Sequence, residues 1–594
     1  MYDMVGSLFK GIKSVAKIMR AMKYKWFTIH IIIVMIEAIM PFILLFTFNL
    51  LLDSLNGEYM GLKPLSVTLI YSGIILFVPL ISILHNIIIG RGRQLFSHQI
   101  DLLLAKQVES VELSFLDSLE GQDILDEFDM MKDALNAFPD KILSIFSQAF
   151  TFVVAFVSII PYNYFFGLLL IALTIPFTLL NIIFDRKSED FRIRNTADVR
   201  KFSYYKWMLT DRSTAKDIRM YDLTNPILDR YNYEKNEYLK ENKKLDLWKM
   251  IRALPITLLK YTGEFVFLIY LVTESINGNI TIGDLVLYSG LALSVIISFG
   301  QITTSLGELF EYDLKHIQRY DEFETQIPRT NELNKINIFD FESIVFDDVH
   351  FKYPNSDDEV IKGVSFTLNK GERLSIVGIN GAGKTTLIKL LMGYYPVSKG
   401  EIRLNGIPLH NYNIYSVRKL FGTLFQSYSK FNITLRENVA LSSIDEMRDD
   451  QKIINAITLA DAVEVLEKCN GNLDTFLERE FDDNGVALSG GQWQKVALAR
   501  VYFKNAPIFI FDEPSAALDA IAEDAIFKQV KNLSTDKTCI MISHRISFSN
   551  STTKIIVLDN GKIAEMGTHE ELLSRKGIYE AMYQIQKERY ERCG

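Results

Sequence analysis

Six stretches in the first half of the chain are long and apolar enough to cross a lipid bilayer. Each has about the 20 apolar residues that a helix needs to cross the hydrocarbon core. Because backbone polar groups in lipid must be satisfied internally, each stretch is expected to be a helix. The stretches are Trp26–Leu52, Leu65–Ile89, Ile142–Ile160, Tyr164–Phe184, Ala253–Ile276 and Ile280–Thr304. The chain of 594 residues is therefore predicted to begin with an α-helical six-span transmembrane domain.

Basic residues cluster before the first apolar stretch and predict the orientation of the chain. Lysine or arginine stands at positions 10, 13, 17, 20, 23 and 25, whereas the turns at 161–163 and 277–279 carry no basic charge. By the positive-inside bias, the amino terminus lies in the cytoplasm. An even number of spans returns the chain there, so we expect a multi-pass protein of the cytoplasmic membrane.

The flanking segments suggest further helices. Residues 1–25 carry apolar side chains at helical spacing and predict an amphipathic helix along the inner membrane surface. The transmembrane domain then covers residues 26–327. Its long charged connections, 90–141 and 185–252, contain few helix breakers and are expected to be cytoplasmic helices that reach a second domain.

A few ionisable residues lie inside apolar stretches, notably Glu37, Lys260 and Glu264, with His30 and His85 nearer the ends. A charge there is costly unless it faces a cavity or a partner. Lys260 and Glu264 are four residues apart on one helical face, a spacing that favours a mutual ion pair. Glu37 has no acidic or basic neighbour at helical spacing. We expect Glu37, Lys260 and Glu264 to be candidates for a substrate cavity, in which Glu37 favours a cationic group on the cargo.

The second half of the chain begins after a break in the apolar pattern near Pro328. Residues 328–340 are expected to form a linker and residues 341–594 an α/β domain. In that domain a short apolar strand, 374–377, leads directly into the sequence GINGAGKT at 378–385 and then into a helical pattern. This context predicts a phosphate-binding loop, in which Lys384 reaches the β and γ phosphates of ATP and the Thr385 hydroxyl holds Mg²⁺.

A pair of acidic residues follows another apolar strand, 508–511. Asp512 is expected at the carboxyl end of that strand, where open α/β sheets bind their ligands, as a second contact of the metal. Glu513 is expected to orient and polarise a water molecule for attack on the γ phosphate.

Composition excludes some other functions. The net charge of −8 offers no general basic surface, so nucleic acid is not expected as a partner. The three cysteines, Cys469, Cys539 and Cys593, lack metal-ligand spacing and are expected to be reduced cytosolic thiols.

With these motifs in order, the chain resembles an ABC transporter of the exporter type over essentially its whole length. The sequence LSGGQ at 488–492 is similar to the signature motif of that family. The resemblance implies a P-loop ATPase domain with a helical subdomain, and a signature that closes over the ATP of a partner domain. It also implies that Gln426 is the Q-loop glutamine, Tyr353 the aromatic that stacks on adenine, His544 the switch histidine and Asp519 the D-loop aspartate.

Taken singly, Tyr353 is equally a core aromatic, Gln426 a surface residue and His544 a helix cap. The D-loop sequence at 515–519 carries alanine where the family often has serine. Together, the motifs and the resemblance predict catalysis by Glu513, His544 and Gln426 and metal contacts from Thr385, Gln426 and Asp512. The expected ATP contacts are Tyr353, Gly378, Asn380, Gly381, Gly383, Lys384, Thr385, Thr386, Ser489, Gly490, Gly491, Gln492 and Asp519.

One membrane domain with one ATPase domain resembles half of a transporter, so a second half-transporter is expected as partner. A homodimer is the first expectation and a heterodimer the alternative. The resemblance implies ATP-driven export by alternating access, and the stretch 479–494 is similar to exporters of peptides and bacteriocins. Lipids, drugs and other small molecules remain alternative cargo, and a regulatory membrane-bound ATPase or a soluble ABC ATPase is the alternative class.

Overall fold

The computed structural model describes residues 11–13, 15–20, 26–56, 63–325, 327–329, 335–513, 537–543 and 552–593. The chain forms two compact units. The first comprises residues 1–109 and 124–327, and the second comprises residues 110–123 and 328–594.

The first unit is built of helices. They are α1 (Trp26–Leu55), α2 (Pro64–Glu109), α5 (Phe128–Arg194), α6 (Thr196–Thr210), α7 (Ala215–Met220), α8 (Thr224–Ile276), α9 (Ile282–Glu308), a π-helical turn (Leu309–Asp313) and α10 (Leu314–Thr325). Two short helices, α3 (Leu113–Leu116) and α4 (Leu119–Asp126), lie between α2 and α5. The charged connections predicted to be helical are helical along most of their length, which confirms that prediction.

Five helices among the described residues are long and apolar enough to cross a membrane, one fewer than the six predicted. The difference arises because two of the apolar stretches lie on α5, a single element of 67 residues. A straight helix of that length would be roughly 100 Å long, over three times the thickness of the hydrocarbon core. Asn163 interrupts it with φ −160° and ψ 101°, between the two stretches.

Helices α5, α8 and α9 share an apolar core in the first unit. Ile159 and Leu170 lie on either side of the interruption in α5 and pack with Phe267 of α8 and Val295 of α9, and all four are buried. Helix α9 begins with a capping box, since the Thr281 hydroxyl accepts a hydrogen bond from the Asp284 amide.

The described part of the amino-terminal segment, residues 11–13 and 15–20, is helical and packs against protein. Val15 and Ile18 are buried, and Lys17 forms an ion pair of 2.7 Å with Glu324 on α10. These residues are helical, and the amphipathic helix over residues 1–25 along the membrane surface stays a prediction. Ile12, three residues before Val15, is exposed, so the buried face runs through Val15 and Ile18.

The second unit contains two β-sheets. The strands are β1 (Ser343–Phe351), β2 (Ile361–Asn369), β3 (Arg373–Val377), β4 (Lys399–Leu404), β5 (Ile407–Pro408), β6 (Phe421–Leu424), β7 (Ile508–Asp512), β8 (Thr538–Ile542), β9 (Lys554–Asp559) and β10 (Lys562–Gly567). One antiparallel sheet has the order β2-β1-β4-β5. The other has the order β10-β9-β3-β8-β7-β6 and is parallel except for the β9–β10 pair.

Helices surround these sheets. They are α11 (Lys384–Leu391), α12 (Ile414–Lys419), α13 (Leu435–Ala440), α14 (Asp450–Leu459), α15 (Val463–Lys468), α16 (Gly490–Lys504), α17 (His569–Ser574) and α18 (Ile578–Cys593), with 3₁₀ turns at Leu409–Asn411 and Ile444–Glu446. One apolar core joins both sheets to α11, and a second packs α13, α14 and the fully buried Trp493 of α16 against Phe511 of β7.

Residues 110–123 are separated from the second unit in sequence but belong to it in space. Val111 forms an antiparallel bridge with Arg329, and the Glu112 amide donates to the Pro328 carbonyl at 3.1 Å. The Asn355 side chain donates to the Asp117 carbonyl at 2.9 Å. Residues 110–123 are therefore part of the same compact unit as the sheets.

Candidate functional site

The parallel sheet brings three sequence motifs to one edge. Strands β3, β7 and β6 run in the same direction, with Ile376 level with Ile542 of β8, Ile542 level with Asp512, and Phe511 level with Leu424. Segments that follow these strands therefore emerge side by side at their carboxyl ends, where parallel sheets bind ligands. These segments carry the glycine loop, the acidic pair and Gln426.

The glycine loop connects β3 to α11 and requires glycine at two positions. A Cβ atom on Gly378 would lie 2.2 Å from the Leu558 carbonyl oxygen. Gly383 has φ +100°, which a side chain disfavours, and it immediately precedes the first turn of α11. The loop therefore leads directly into the positive end of α11, an arrangement in which backbone N–H groups can bind a phosphate.

Lys384 begins α11 and folds back over this loop. Its ammonium donates to the carbonyl oxygens of Gly378 at 2.9 Å and Ile379 at 3.1 Å. The residue is buried, and burial lowers the pKa of its ammonium, an effect that nearby Glu513 and Asp512 oppose. A cation held inside the loop by two carbonyls is positioned to meet phosphate oxygens.

Asp512 and Thr385 meet at the carboxyl end of β7. The Thr385 hydroxyl donates to Asp512 Oδ2 at 2.9 Å, while Oδ1 is buried and has no hydrogen-bond partner among the described residues. Burial raises the pKa of the Asp512 carboxyl, the Thr385 hydrogen bond opposes this, and Glu513 adds to it. A buried carboxylate oxygen without a partner, beside a hydroxyl, fits a divalent cation such as Mg²⁺.

Glu513 is held in an uncommon backbone conformation next to the metal-site candidates. Its φ is +50°, and its amide donates to the Ile542 carbonyl at 2.9 Å. The Gln426 amide donates to Glu513 Oε2 at 2.8 Å, so two of the three residues predicted to be catalytic are in contact. Backbone strain of this kind concentrates at functional sites.

Tyr353 lies beside the glycine loop. Its hydroxyl is 3.1 Å from the Thr386 hydroxyl on α11, and its ring meets the rings of Phe351 and Tyr395 edge-to-face. The residue is only partly buried. Tyr353 thus packs at the margin of the core and retains exposed ring surface, which accommodates both interpretations made from the sequence.

The signature sequence forms the start of α16. The Ser489 hydroxyl caps the helix by accepting from the Gln492 amide at 3.3 Å, and the Gln492 side chain accepts from the Ser489 amide at 3.1 Å. The Lys468 ammonium donates a hydrogen bond of 2.9 Å to the same Gln492 oxygen. Ser489 and Gly490 are exposed, so the positive end of a helix of 15 residues faces outward.

Two predicted site residues, His544 and Asp519, lie outside the described residues, as does the rest of the D-loop. The remaining predicted ATP contacts fall into two sets. Tyr353, Gly378, Asn380, Gly381, Gly383, Lys384, Thr385 and Thr386 lie in or beside the glycine loop, and Ser489, Gly490, Gly491 and Gln492 lie at the start of α16.

A contact that sequence reasoning missed joins the 110–123 segment to the adenine-site candidate. The Tyr395 hydroxyl donates to the Asp117 carboxylate, and the Tyr395 ring packs against Tyr353. Burial and the Asp117 contact both raise the pKa of the Tyr395 hydroxyl. No sequence signal marks this pair, because 278 positions separate its members.

The first unit contains a polar cavity of about 380 Å³ that includes Glu37. Glu37 Oε2 lies 2.5 Å from His85 Nδ1, and Arg93 forms an ion pair of 2.6 Å with Asp140. The His30 ring is 5.5 Å from the His85 ring. Glu37 therefore lines a cavity, but it has a partner from a neighbouring helix that helical spacing alone does not reveal.

Lys260 and Glu264 do not form the ion pair that their spacing favours. Within the described part of the chain no salt bridge of 4 Å or less joins their charged groups, although the two charges still attract each other. The physical reason is that the Lys260 side chain extends toward Phe177 on α5, whose ring centroid lies 5.0 Å from its Nζ. It lines a second cavity, whereas Glu264 is not among the described residues that line it.

Comparison with known families and structures gives matches in both halves of the chain. Residues 361–516 match the family model described as ABC transporter, and residues 26–299 match that of the ABC transporter transmembrane region. A bacterial Atm1-family ABC exporter with ATP bound has the same fold, with a TM-score of 0.75 and 22% identity over 96% of this chain and 98% of that one.

Curated relatives include transport proteins for subtilin and nisin and lipid A-core flippases. The subtilin transport ATP-binding protein of Bacillus subtilis is 31% identical over 92% of this chain and 89% of its own length. The nisin transport ATP-binding protein of Lactococcus lactis is 26% identical over 96% of this chain and 94% of its own length. An ATP-dependent lipid A-core flippase of Haemophilus ducreyi is 31% identical over 57% of this chain and 56% of its own length.

Proposed function

Because this chain belongs to the ABC transporter family and has the exporter fold, we propose that it exports a peptide across the cytoplasmic membrane by alternating access. It binds ATP and couples ATP hydrolysis to transport. The observation that carries the proposal is the contact of Thr385 with Asp512 and of Gln426 with Glu513 at one sheet edge, in a chain that also supplies membrane helices.

The proposed roles at the ATP site follow from the contacts around it. Lys384 and the glycine loop bind the phosphates, and Tyr353 packs against the adenine ring. Glu513 accepts a proton from the attacking water, while Gln426, which donates to its carboxylate, keeps it oriented. His544 and Asp519 stay predictions from the family resemblance.

Thr385, Asp512 and Gln426 are proposed to hold Mg²⁺. The unpartnered buried Oδ1 of Asp512 supports this, because a divalent cation would satisfy a carboxylate oxygen that is otherwise costly to bury. Bound there, Mg²⁺ would neutralise charge on the phosphates as the γ phosphate is transferred to water.

A dimer completes the site. The exposed start of α16, with Ser489 and Gly491, is proposed to contact the γ phosphate of ATP bound to the glycine loop of a second half-transporter. A homodimer is proposed, because one chain carries both the complete glycine loop and an intact signature. A degenerate second chain would make a heterodimer instead.

Six spans are proposed, with the interruption at Asn163 as the turn between the third and the fourth. This divides α5 into two segments that each exceed the length needed to cross the hydrocarbon core. An even number of spans places the amino terminus and the ATPase domain together in the cytoplasm, where ATP is available.

Peptide cargo is proposed from the extent of the likeness. Two relatives named for transport of the bacteriocins subtilin and nisin align with more than nine-tenths of this chain, which includes the membrane unit. The relative named as a lipid A-core flippase aligns with 57% of it. Lipid is the second candidate cargo, because flippases still share that part of the chain.

The test is ATP hydrolysis by the purified chain in lipid nanodiscs, with peptides, lipids and drugs titrated separately. We expect turnover that one cargo class stimulates and that Glu513→Gln abolishes while ATP binding persists. A folded dimer that binds ATP without turnover would contradict the homodimer and indicate a partner chain. Turnover without vesicle flux for any cargo would contradict export.

A further inference from the structure

The second cavity of the membrane unit encloses the ammonium group of Lys260. It has a volume of about 420 Å³ and is bounded by α5, α8 and α9. Lys260 is only 8% exposed, and its Nζ lies 5.0 Å from the centroid of the Phe177 ring. A buried ammonium at membrane depth is unfavourable unless an anion or several acceptors compensate it.

Apart from Glu264, whose charge acts on Lys260 but which does not line the cavity, the side chains around this ammonium can donate hydrogen bonds and carry no negative charge. The described lining residues are Ser144, Gln148, Phe177, Lys260, Ile297, Gly300, Gln301, Thr304 and Ser305, and none is acidic. The amides of Gln148 and Gln301 make no side-chain hydrogen bond within the described part of the chain, nor do the hydroxyls of Ser144 and Ser305. The cavity therefore combines one cation with unused donors.

These residues lie at a common depth in the membrane unit. Lys260 is 16 residues from the end of α8 at Ile276, and Gln148 is 15 residues from the interruption at Asn163, which correspond to roughly 24 and 22 Å of helix. Gly300 is 18 residues, or roughly 27 Å, from the start of α9. Because the hydrocarbon core is about 30 Å thick, the cavity lies near its cytoplasmic side in the proposed topology.

The neighbouring cavity has a different charge pattern. It contains the carboxylates of Glu37 and Asp140, which contact His85 and Arg93 respectively. Ser144 lines both cavities, so the two are adjacent along α5. Among the described lining residues, acidic groups occur only in the cavity of Glu37 and Asp140, where each has a basic partner. Lys260 lines the other cavity, which has no acidic lining residue.

We propose that the Lys260 cavity binds a carboxylate or phosphate group of the cargo as it enters from the cytoplasmic side. The ammonium pairs with the anion, the glutamine amides and serine hydroxyls donate hydrogen bonds to it, and Phe177 packs against the adjoining apolar part. This inference rests on the proposed export function and refines it. The expectation that Glu37 favours a cationic group on the cargo concerns the neighbouring cavity and stays a prediction.

The test uses two matched probe pairs with the full chain in phosphatidylcholine nanodiscs, without ATP. One pair is an amphipathic peptide with a free carboxyl terminus and the same peptide amidated. The other is dodecyl phosphate and dodecylphosphocholine. We expect the wild type to bind the anionic member of at least one pair roughly tenfold more tightly, the effect of about one charge-assisted hydrogen bond. The pair that shows it identifies a peptide carboxylate or a phosphate as the source.

Variants assign the preference to Lys260. Lys260→Gln should abolish it and Lys260→Arg should retain most of it. Lys249→Gln is the matched control, because Lys249 also lies on α8 with its Nζ 3.8 Å from a ring centroid, that of Phe184, and does not line the cavity. A preference that survives Lys260→Gln, or is lost equally in Lys249→Gln, would overturn the proposal.

If Lys260→Gln fails to fold, the wild type and Lys260→Arg still test whether the cavity prefers an anion. Equal wild-type affinity for both members of both pairs would overturn the proposal without any variant. Basal ATP hydrolysis, measured separately on the same preparations, tests the export function. Loss of hydrolysis with the anion preference intact would contradict only that function, and normal hydrolysis without the preference would contradict only the anion site.

Discussion

Thr385 donates a hydrogen bond of 2.9 Å to one oxygen of Asp512, and the other oxygen of that carboxylate is buried without a partner in the described part of the chain. The contact joins the first turn of α11 to the end of β7 across 127 positions of sequence. It places a carboxylate with one unpartnered oxygen beside the phosphate-binding loop. The expected thermal stability of Asp512→Asn and its dependence on pH both follow from this contact.

Removing the charge of Asp512 should stabilise the chain without nucleotide and weaken its response to nucleotide. We expect Asp512→Asn to raise the Tm of the nucleotide-free protein by about 2–4 °C for each kcal/mol of relieved burial penalty. Mg²⁺ and ATP should raise the Tm of the wild type further, and this rise should largely disappear in Asp512→Asn. Thermal unfolding in nanodiscs checks both, with the exposed Asp483→Asn as control. A lower Tm for the nucleotide-free variant would contradict the assignment.

The Tm difference between these proteins should depend on pH. Because the folded-state pKa of Asp512 is raised by burial, charging the carboxyl destabilises the fold as pH rises above its unfolded value. When pH falls, the carboxyl becomes neutral and resembles asparagine. The advantage of Asp512→Asn should therefore be largest above the raised folded-state pKa of Asp512 and shrink as pH falls through it toward the ordinary pKa of an aspartate. A difference that stays constant or grows on acidification would contradict this.

Ser489 should contribute to both stability and turnover, and Thr568 separates the two effects. Both hydroxyls cap a helix through a capping box, Ser489 on α16 and Thr568 on α17. Substitution of either by alanine should cost about 1 kcal/mol of stability. Only Ser489→Ala should also reduce ATP turnover by more than tenfold, because only that cap is proposed to contact the partner's ATP. Equal turnover in the two variants would contradict the role of Ser489.

The interruption at Asn163 should be accessible from outside the cell. In a cysteine-free background, a cysteine at Asn163 or Asn277 should react with a membrane-impermeant maleimide on intact cells. A cysteine at Ser213, in the charged connection between α6 and α7, should react only after the cells are opened. Protection of the Asn163 site on intact cells would contradict six spans, since α5 would then not turn there.

Much of the ATP site could be predicted from sequence because each motif sits at the end of a short strand. Once β3, β8, β7 and β6 lie parallel in one sheet, Lys384, Gln426 and Asp512 must emerge at one edge. The helical connections of the first unit could also be predicted from sequence. Long charged segments that contain few glycine or proline residues usually form helices.

Contacts between helices could not be predicted in this way. Spacing on one helix suggested an ion pair of Lys260 with Glu264, yet the long lysine side chain extends to Phe177 on another helix. His85 reaches Glu37 from the next helix, and Tyr395 reaches Asp117 from a distant part of the sequence. Such partners depend on how helices and segments pack, which periodicity along one chain does not encode.

The most direct test of ATP-driven export is flux into inside-out membrane vesicles that contain this chain alone. The wild type should accumulate a labelled peptide cargo only with Mg²⁺ and ATP, and Glu513→Gln, which should lose 10²-fold or more in hydrolysis, should accumulate none above background. Equal accumulation in the two proteins, or wild-type hydrolysis with no accumulation of any cargo offered, would contradict ATP-driven export.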